Sequence, residues 1–165
     1  MGAGLSAAAA ASLRCTGDLC VLGDAHIDVL VRLSGPPAEE TDTPVRAVLS
    51  AGGQAANVAA WIAALGGRSR LISALGNDAG ARLVAEELTR RGVEVAGPVI
   101  AGRTGIIVAL SDGGGKRSVL TDRGVGPQLS AAALDDSWLD GCAWLHLPAY
   151  SLVAARAVAT MGAMP

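Results

Sequence analysis

The sequence predicts an α/β protein in which a parallel sheet is flanked by helices, and three observations predict it. From Leu19 onwards, apolar runs of strand length alternate with longer stretches of helical period. Glycines punctuate the ends of those stretches, at Gly66-Gly67 and Gly92. The composition, 51% hydrophobic and 17% charged, is that of a chain able to bury a core, and 165 residues suffice for one domain.

Each element follows from a local pattern. Residues 19–22 (LCVL) read as a short buried strand closed by Gly23. Residues 27–33 (IDVLVRL) and 45–49 (VRAVL) alternate in polarity as two-sided strands do, and the PPAEETDT stretch between them is turn-forming and solvated. Residues 55–65 give the clearest helix: Val58, Trp61, Ile62 and Leu65 fall at i, i+3, i+4 and i+7, which predicts that this stripe, Trp61 included, is core. Residues 70–75 (RLISAL) are the next strand. A second helix is expected from an N-cap at Asp78 to Arg91, with Arg90 and Arg91 suiting its C-terminal dipole. Residues 105–110 (GIIVAL) and 117–121 (RSVLT) flank SDGGGK, which is hairpin chemistry. A helix over 131–139, a buried strand over 143–147 (AWLHL) and a further helix over 152–161 complete the reading. Residues 1–17 form an alanine-rich leader expected to be disordered, and 18–165 a single domain without repeats.

Several function classes are excluded at this level. A formal charge of −2 leaves no basic footprint for nucleic acid or an anionic membrane. No window approaches the roughly 18 apolar residues of a membrane span. The leader lacks a basic start and a strongly apolar centre, so it does not fit a signal peptide. Three cysteines (Cys15, Cys20, Cys142) form no CxxC pair, and an odd count argues against a disulfide framework, so a reducing, cytoplasmic setting is expected. His26 and His146 stand alone in sequence and offer neither zinc spacing nor a nucleophilic triad.

The informative segment is AGGQAAN, residues 51–57. Gly52 and Gly53 precede an amphipathic helix; lacking Cβ atoms, they let a small polar ligand approach the backbone. The helix N-terminus adds oriented N–H donors, and Asn57, one turn in, offers both a donor and an acceptor to a sugar hydroxyl. The plainer alternative is a turn before a helix.

The run Gly52-Gly53-Gln54-Ala55-Ala56-Asn57-Val58-Ala59, followed by Gly66 and Gly76, resembles the N-terminal signature of ribokinase/PfkB carbohydrate kinases. The likeness continues through Gly76-Asn77-Asp78-Ala79-Gly80, Arg103-Thr104-Gly105 and Trp144-Leu145-His146-Leu147. It implies a ribokinase-like (Rossmann-like) sheet with a small β-lid that covers the sugar and can serve as a homodimer surface. It also explains Gly23-Asp24-Ala25-His26-Ile27-Asp28, where family members tend to carry Gly-x-x-Asn-x-Asp and the aspartate binds sugar hydroxyls. Asp28 keeps that position, whereas His26 stands where asparagine is usual, and Gln54 where ribokinases often carry lysine. A carboxylate can accept from two neighbouring hydroxyls, which makes Asp28 a good polyol reader. Ile107 and Ala109 are further candidates to line the pocket, core packing being the commoner role of such strand residues, and Arg117 and Arg123 to reach a phosphate if the sugar carries one, solvated surface being the alternative for both arginines.

The resemblance implies ATP and Mg²⁺ as the family's cofactors, with an aspartate base in an Asp-Thr-x-Gly-Ala-Gly-Asp run. No such run occurs in this sequence, and Asp24, Asp28, Asp78, Asp112 and Asp122 all lie in other contexts. Gly113-Gly114-Gly115-Lys116-Arg117 fails as a P-loop, since Leu110 stands where the first glycine is needed and Arg117 where Ser or Thr is. The expectation is therefore the substrate-binding portion of an ATP-dependent kinase for a small sugar or related polyol, truncated on its C-terminal side. It would have no catalytic residue of its own and would not bind ATP productively alone. The rival expectation is a non-catalytic sugar-binding or scaffold module, or an inactive gene remnant.

Overall fold

The computed structural model describes residues 17–112 and 114–149. The leader expected over residues 1–17, save Gly17, and the helix expected over 152–161 lie outside the described residues.

The main sheet is parallel. Its strands are β1 (Asp18–Leu22), β4 (Ser69–Ile72), β6 (Val93–Ala96) and β10 (Cys142–His146), in the order β10-β1-β4-β6. The LCVL run is buried throughout or nearly so, the continuous apolar pattern that strands covered on both faces require. A second, mixed sheet forms the lid: β2 (His26–Arg32), β3 (Arg46–Gly52), β8 (Thr104–Ser111) and β9 (Arg117–Gly124), in the order β3-β2-β8-β9. Here β2 pairs antiparallel with β3 and parallel with β8, and β8 pairs antiparallel with β9. Two-residue strands β5 (Leu75–Gly76) and β7 (Val99–Ile100) make a small third ladder. Neither β6 nor β7 was expected from sequence, although Val93-Glu94-Val95-Ala96 alternates as a strand should.

The first helix, α1 (Gln54–Ala64), ends close to its expected C-terminus, but its rotation differs from the expected one. Ala55, Ala56 and Ala59 are buried against the sheet, while Trp61 is 68% exposed and Leu65 83%. The expected stripe is thus split: Val58 and Ile62 are half-buried against the core, Trp61 and Leu65 face outward, and the fully buried seam is made of alanines. A second correction concerns residues 131–139. Instead of one helix they form two 3₁₀ turns, Ala131–Ala133 and Asp136–Leu139, broken where Leu134 turns extended and the Asp135 carboxylate accepts from Ser137 N. A third concerns β10, expected to be buried: among the described residues it is an edge strand, and Trp144 is 67% exposed.

At the N-terminal ends of the parallel strands, Asp18, Arg70 and Glu94 form a chain of charge. Arg70 lies 3.1 Å from Asp18 and 3.0 Å from Glu94, and donates to the carbonyls of Trp138 and Asp140. Asp18, itself buried, is also met by Arg68 at 2.8 Å. These bonds fasten β1, β4, β6 and the 3₁₀ turns together at the end of the sheet remote from the lid.

The lid is fastened at Asp78, the N-cap of α2 (Ala79–Arg90), as the sequence predicts. Its carboxylate accepts from Ala81 N (2.9 Å), Thr104 N (3.0 Å) and Thr104 Oγ1 (2.8 Å). Thr104 Oγ1 in turn accepts from Gly76 N, and Asn77 exchanges bonds with Gly102. The Gly76-Asn77-Asp78 and Arg103-Thr104-Gly105 motifs are therefore two halves of one knot. Burial works against the charged Asp78 carboxylate, but the bonds from Ala81 and Thr104 outweigh it and hold the pKa below its usual value. Because the folded pKa is depressed, this stabilisation is present above the unfolded carboxylate range and is lost as pH falls through the folded value. We expect Asp78→Ala to cost about 1–3 kcal/mol. Asp78→Asn should flatten the acid limb of a stability-against-pH curve measured by urea unfolding.

Candidate functional site

The chain leaves β1 at Leu22, where Gly23 N donates to Ile72 O, and Asp24 starts the crossing into the lid. It returns along β3, with His26 opposite Gly52 and Asp28 opposite Ser50. At Gly53 (φ 112°) the backbone takes a conformation that favours glycine, and an added Cβ would lie 2.5 Å from the Asp24 carbonyl oxygen. Helix α1 starts immediately afterwards. Gly53 has no capping side chain, so Asp24 supplies the acceptors: its Oδ1 takes Ala55 N and its carbonyl takes Ala56 N, each at 3.3 Å. The site thus sits at the carboxyl end of β1 and at the N-terminus of a helix, where α/β sheets place their ligands.

Strand alternation brings His26 and Asp28 to one face of the lid, the face that Gly52 leaves bare. A Cβ at Gly52 would overlap the Asp28 carboxylate, so only glycine leaves room for it there. His26 stands between two acids: Nε2 is 3.1 Å from Asp28 Oδ1, an ion-pair distance when the ring is protonated, and Nδ1 is 3.7 Å from Asp24 Oδ2. The His26 side chain is 16% exposed and those of Asp24 and Asp28 24%. Asp28 Oδ1 faces His26 Nε2, while no polar partner among the described residues meets Oδ2, which leaves that oxygen to a ligand's hydroxyls. Ile107 and Ala109 lie opposite Asp28 and Leu30 on β8 and so share this face.

The expected site residues therefore divide. His26, Asp28, Gly52 and Gly53 come together. Gln54 and Asn57 are exposed on α1, and no hydrogen bond among the described residues joins either to His26 or Asp28. Asn57 lines an open groove of about 410 Å³ with Ala60, Trp61, Ala64 and Arg91. Asp24 was missed as a site residue, yet the alternation Asp24-x-His26-x-Asp28 carries the signal that would have found it.

Other chemistries find little support. Burial, reinforced by the neighbouring Cys142, pushes the Cys20 thiol up to about 12, which leaves it protonated and unreactive. Among the described residues no group of three or more His, Cys, Asp or Glu side chains is placed to hold a metal ion. No helix among them is long and apolar enough to cross a membrane.

Residues 16–161 match the model of the pfkB family carbohydrate kinases. The chain belongs to that family. A curated relative, the ATP-dependent ribose-1-phosphate kinase of Halopiger xanaduensis, is 31% identical over 144 residues, which is 84% of this chain and 49% of that protein. The chain thus spans about half the length of that relative. Among solved structures, the adenosine kinase of Sinorhizobium meliloti superposes with a TM-score of 0.74 at 20% identity, covering 89% of this chain and 51% of that one. The fructokinase of Xylella fastidiosa gives 0.70 at 21%, covering 89% and 50%. A ribokinase-type structure from E. coli, in complex with ATP and Mg²⁺, gives 0.75 at 20%, covering 89% and 47%. These likenesses show the ribokinase fold, as the sequence predicts.

The Gly52–Asp28 contact generates a prediction for this pfkB-family chain. Gly52→Ala should displace the Asp28 carboxylate and cost about 1–3 kcal/mol by forcing extra volume into a closed space. Thermal unfolding would show the loss, while Gly35→Ala, where an added Cβ meets nothing within 4 Å, should be close to neutral.

Proposed function

We propose that this chain supplies the sugar-binding half of an ATP-dependent kinase that phosphorylates a hydroxyl of a small sugar or related polyol. The observation that carries the reading is the Asp28 carboxylate, set over the bare Gly52 backbone with His26 against its Oδ1 and its Oδ2 without a described partner. Such a group reads adjacent hydroxyls and discriminates against analogues that lack them, because its lone pairs would then go unmatched. The work of these residues would be to hold and orient the sugar, Asp28 by accepting from its hydroxyls, His26 by fixing the carboxylate's position. Gly53 and the first turn of α1 would add backbone donors.

The relative's printed name extends the substrate class to sugars that already carry a phosphate. ATP would supply the phosphoryl group and Mg²⁺ the charge neutralisation when bound. We assign productive nucleotide binding to the part of such a relative's length that this chain does not span. The lid leaves Leu49, Ile106 and Leu120 exposed on the face opposite Asp28, which supports a homodimer through the lid. The formal charge of −2 supports a protein without nucleic-acid partners, and we place it in the cytoplasm.

The test is ligand-induced stabilisation of the purified chain. Ribose or a phosphorylated pentose should raise the melting temperature, and Asp28→Ala should abolish that rise while leaving the melting temperature without ligand within a few degrees. The chain alone should transfer no phosphate from ATP. Robust kinase activity from the 165-residue protein would overturn the division of labour, and the lack of any sugar effect on the parent would leave only a scaffold or remnant.

A further inference from the structure

The ladder registers of the lid place three arginines in a single row. At its outer end Arg46 on β3 lies opposite Arg32 on β2, Arg32 opposite Ser111 on β8, and Ser111 opposite Arg117 on β9. Residues opposite one another across neighbouring strands point to the same side of a sheet. By alternation, that side is the one on which His26 and Asp28 stand. The row between, Val48-Leu30-Ala109-Val119, is apolar. The lid face therefore runs from a carboxylate at its base, across a strip of aliphatic side chains, to a line of guanidinium groups.

Like charges directly opposite each other on paired strands are destabilising, so such a row needs something to offset it. No described residue supplies it. All three arginines are exposed, and none is in an ion pair with any described residue. Asp112, next to Ser111 in sequence, is turned into its own loop, where it accepts from the backbone N–H groups of Gly114 and Lys116. Glu39, Glu40 and Asp42 in the β2–β3 connection pair with none of the three. Arg32 and Arg46 also line an open pocket of about 410 Å³ together with Leu33, Ser34, Pro44 and Val45, a size suited to a small ligand.

We propose that this row is an anion subsite for a phosphomonoester, and that it selects sugars already bearing a phosphate. Arginine's planar fork matches phosphate oxygens two at a time, which a row of three exploits better than a single cation would. The four residues from Asp28 to Arg32 span roughly 13 Å of strand. An extended arginine side chain covers roughly half that length, leaving a gap on the scale of a pentose phosphate. The inference rests on the sugar-kinase reading for the rest of the ligand, and extends it from hydroxyl recognition to the phosphorylated end. Arg117 belongs to the row, whereas Arg123, the other candidate from sequence, lies at the base of β9.

Titration calorimetry on the full chain at low salt separates the two ideas, using ribose 1-phosphate, ribose and inorganic phosphate as probes. Ribose 1-phosphate should bind roughly tenfold or more tightly than ribose. The double variant Arg32→Gln/Arg46→Gln should remove that gain and leave the affinity for ribose unchanged. Equal affinity for the two sugars, or a gain that survives the double variant, overturns the subsite while the sugar-binding reading stands. If ribose and ribose 1-phosphate both fail to bind the parent, the sugar reading falls, and inorganic phosphate decides the row by itself. Phosphate binding that the double variant loses upholds the anion site, and no binding overturns it. Without ligand the double variant should melt no lower than the parent, since it relieves repulsion; a lower melting temperature would count against an unpaired row.

Discussion

The structure depends on the way Asp24 receives the first amides of α1. A helix that begins with glycine at its cap has unsatisfied donors, and here a side chain and a carbonyl thirty residues upstream in sequence accept two of them. That bond pair fixes where the chain leaves the parallel sheet and where it comes back. With both passages fixed, His26 and Gly52 fall opposite each other, and Asp28 is laid over the space that Gly52 keeps open. The site is thus a by-product of how a strand-to-lid crossing is closed, and its geometry is set by backbone rather than by long, mobile side chains.

The lid and the sheet share one apolar core, to which Ile27 and Ala51 of the lid belong, and polar bonds tie them further. Asp78 and Thr104 tie the start of α2 to the first residue of β8, and Glu87 reaches from the same helix to accept the amide of Ala51 on β3. At the far end of the sheet, Arg70 draws three parallel strands and the 3₁₀ turns onto one guanidinium. Charge therefore organises both ends of the molecule. The aliphatic core between them, centred on Val21, Leu71, Val84, Leu88 and Val93, supplies the burial.

Much of this was legible in the sequence, and the failures share a cause. The α/β class, the span of both helices, the Asp78 cap and the lid hairpins all follow from period and punctuation, which are local. The bringing together of His26, Asp28, Gly52 and Gly53 followed from a family likeness borne by those same residues. The rotation of α1 did not follow, because alanine is nearly neutral in hydropathy and a stripe of large residues outweighs it in any count. Where a helix is held close to a sheet, small size decides which face goes inward, and Ala55, Ala56 and Ala59 win over Trp61 and Leu65. Residues 131–139 misled for the opposite reason: three alanines suggest a helix, but Asp135 competes locally for the backbone of Ser137. The exposure of β10 follows from its place at the sheet edge, which no local pattern records.

The alanine seam of α1 has a consequence for how this protein can vary. The fully buried side chains that α1 sets against the sheet are methyl groups, with Val58 and Ile62 packing half-buried beside them, so helix and sheet lie close along this seam. There is no slack in such a seam: a larger residue at 55, 56 or 59 has nowhere to turn and would lift the helix bodily. Since the N-terminal end of that helix is one wall of the site, the seam acts as a gauge block, holding a distance that the residues touching a ligand cannot set for themselves. Changes in what the site accepts are therefore free to accumulate on the lid, where the walls are side chains, and not along the helix.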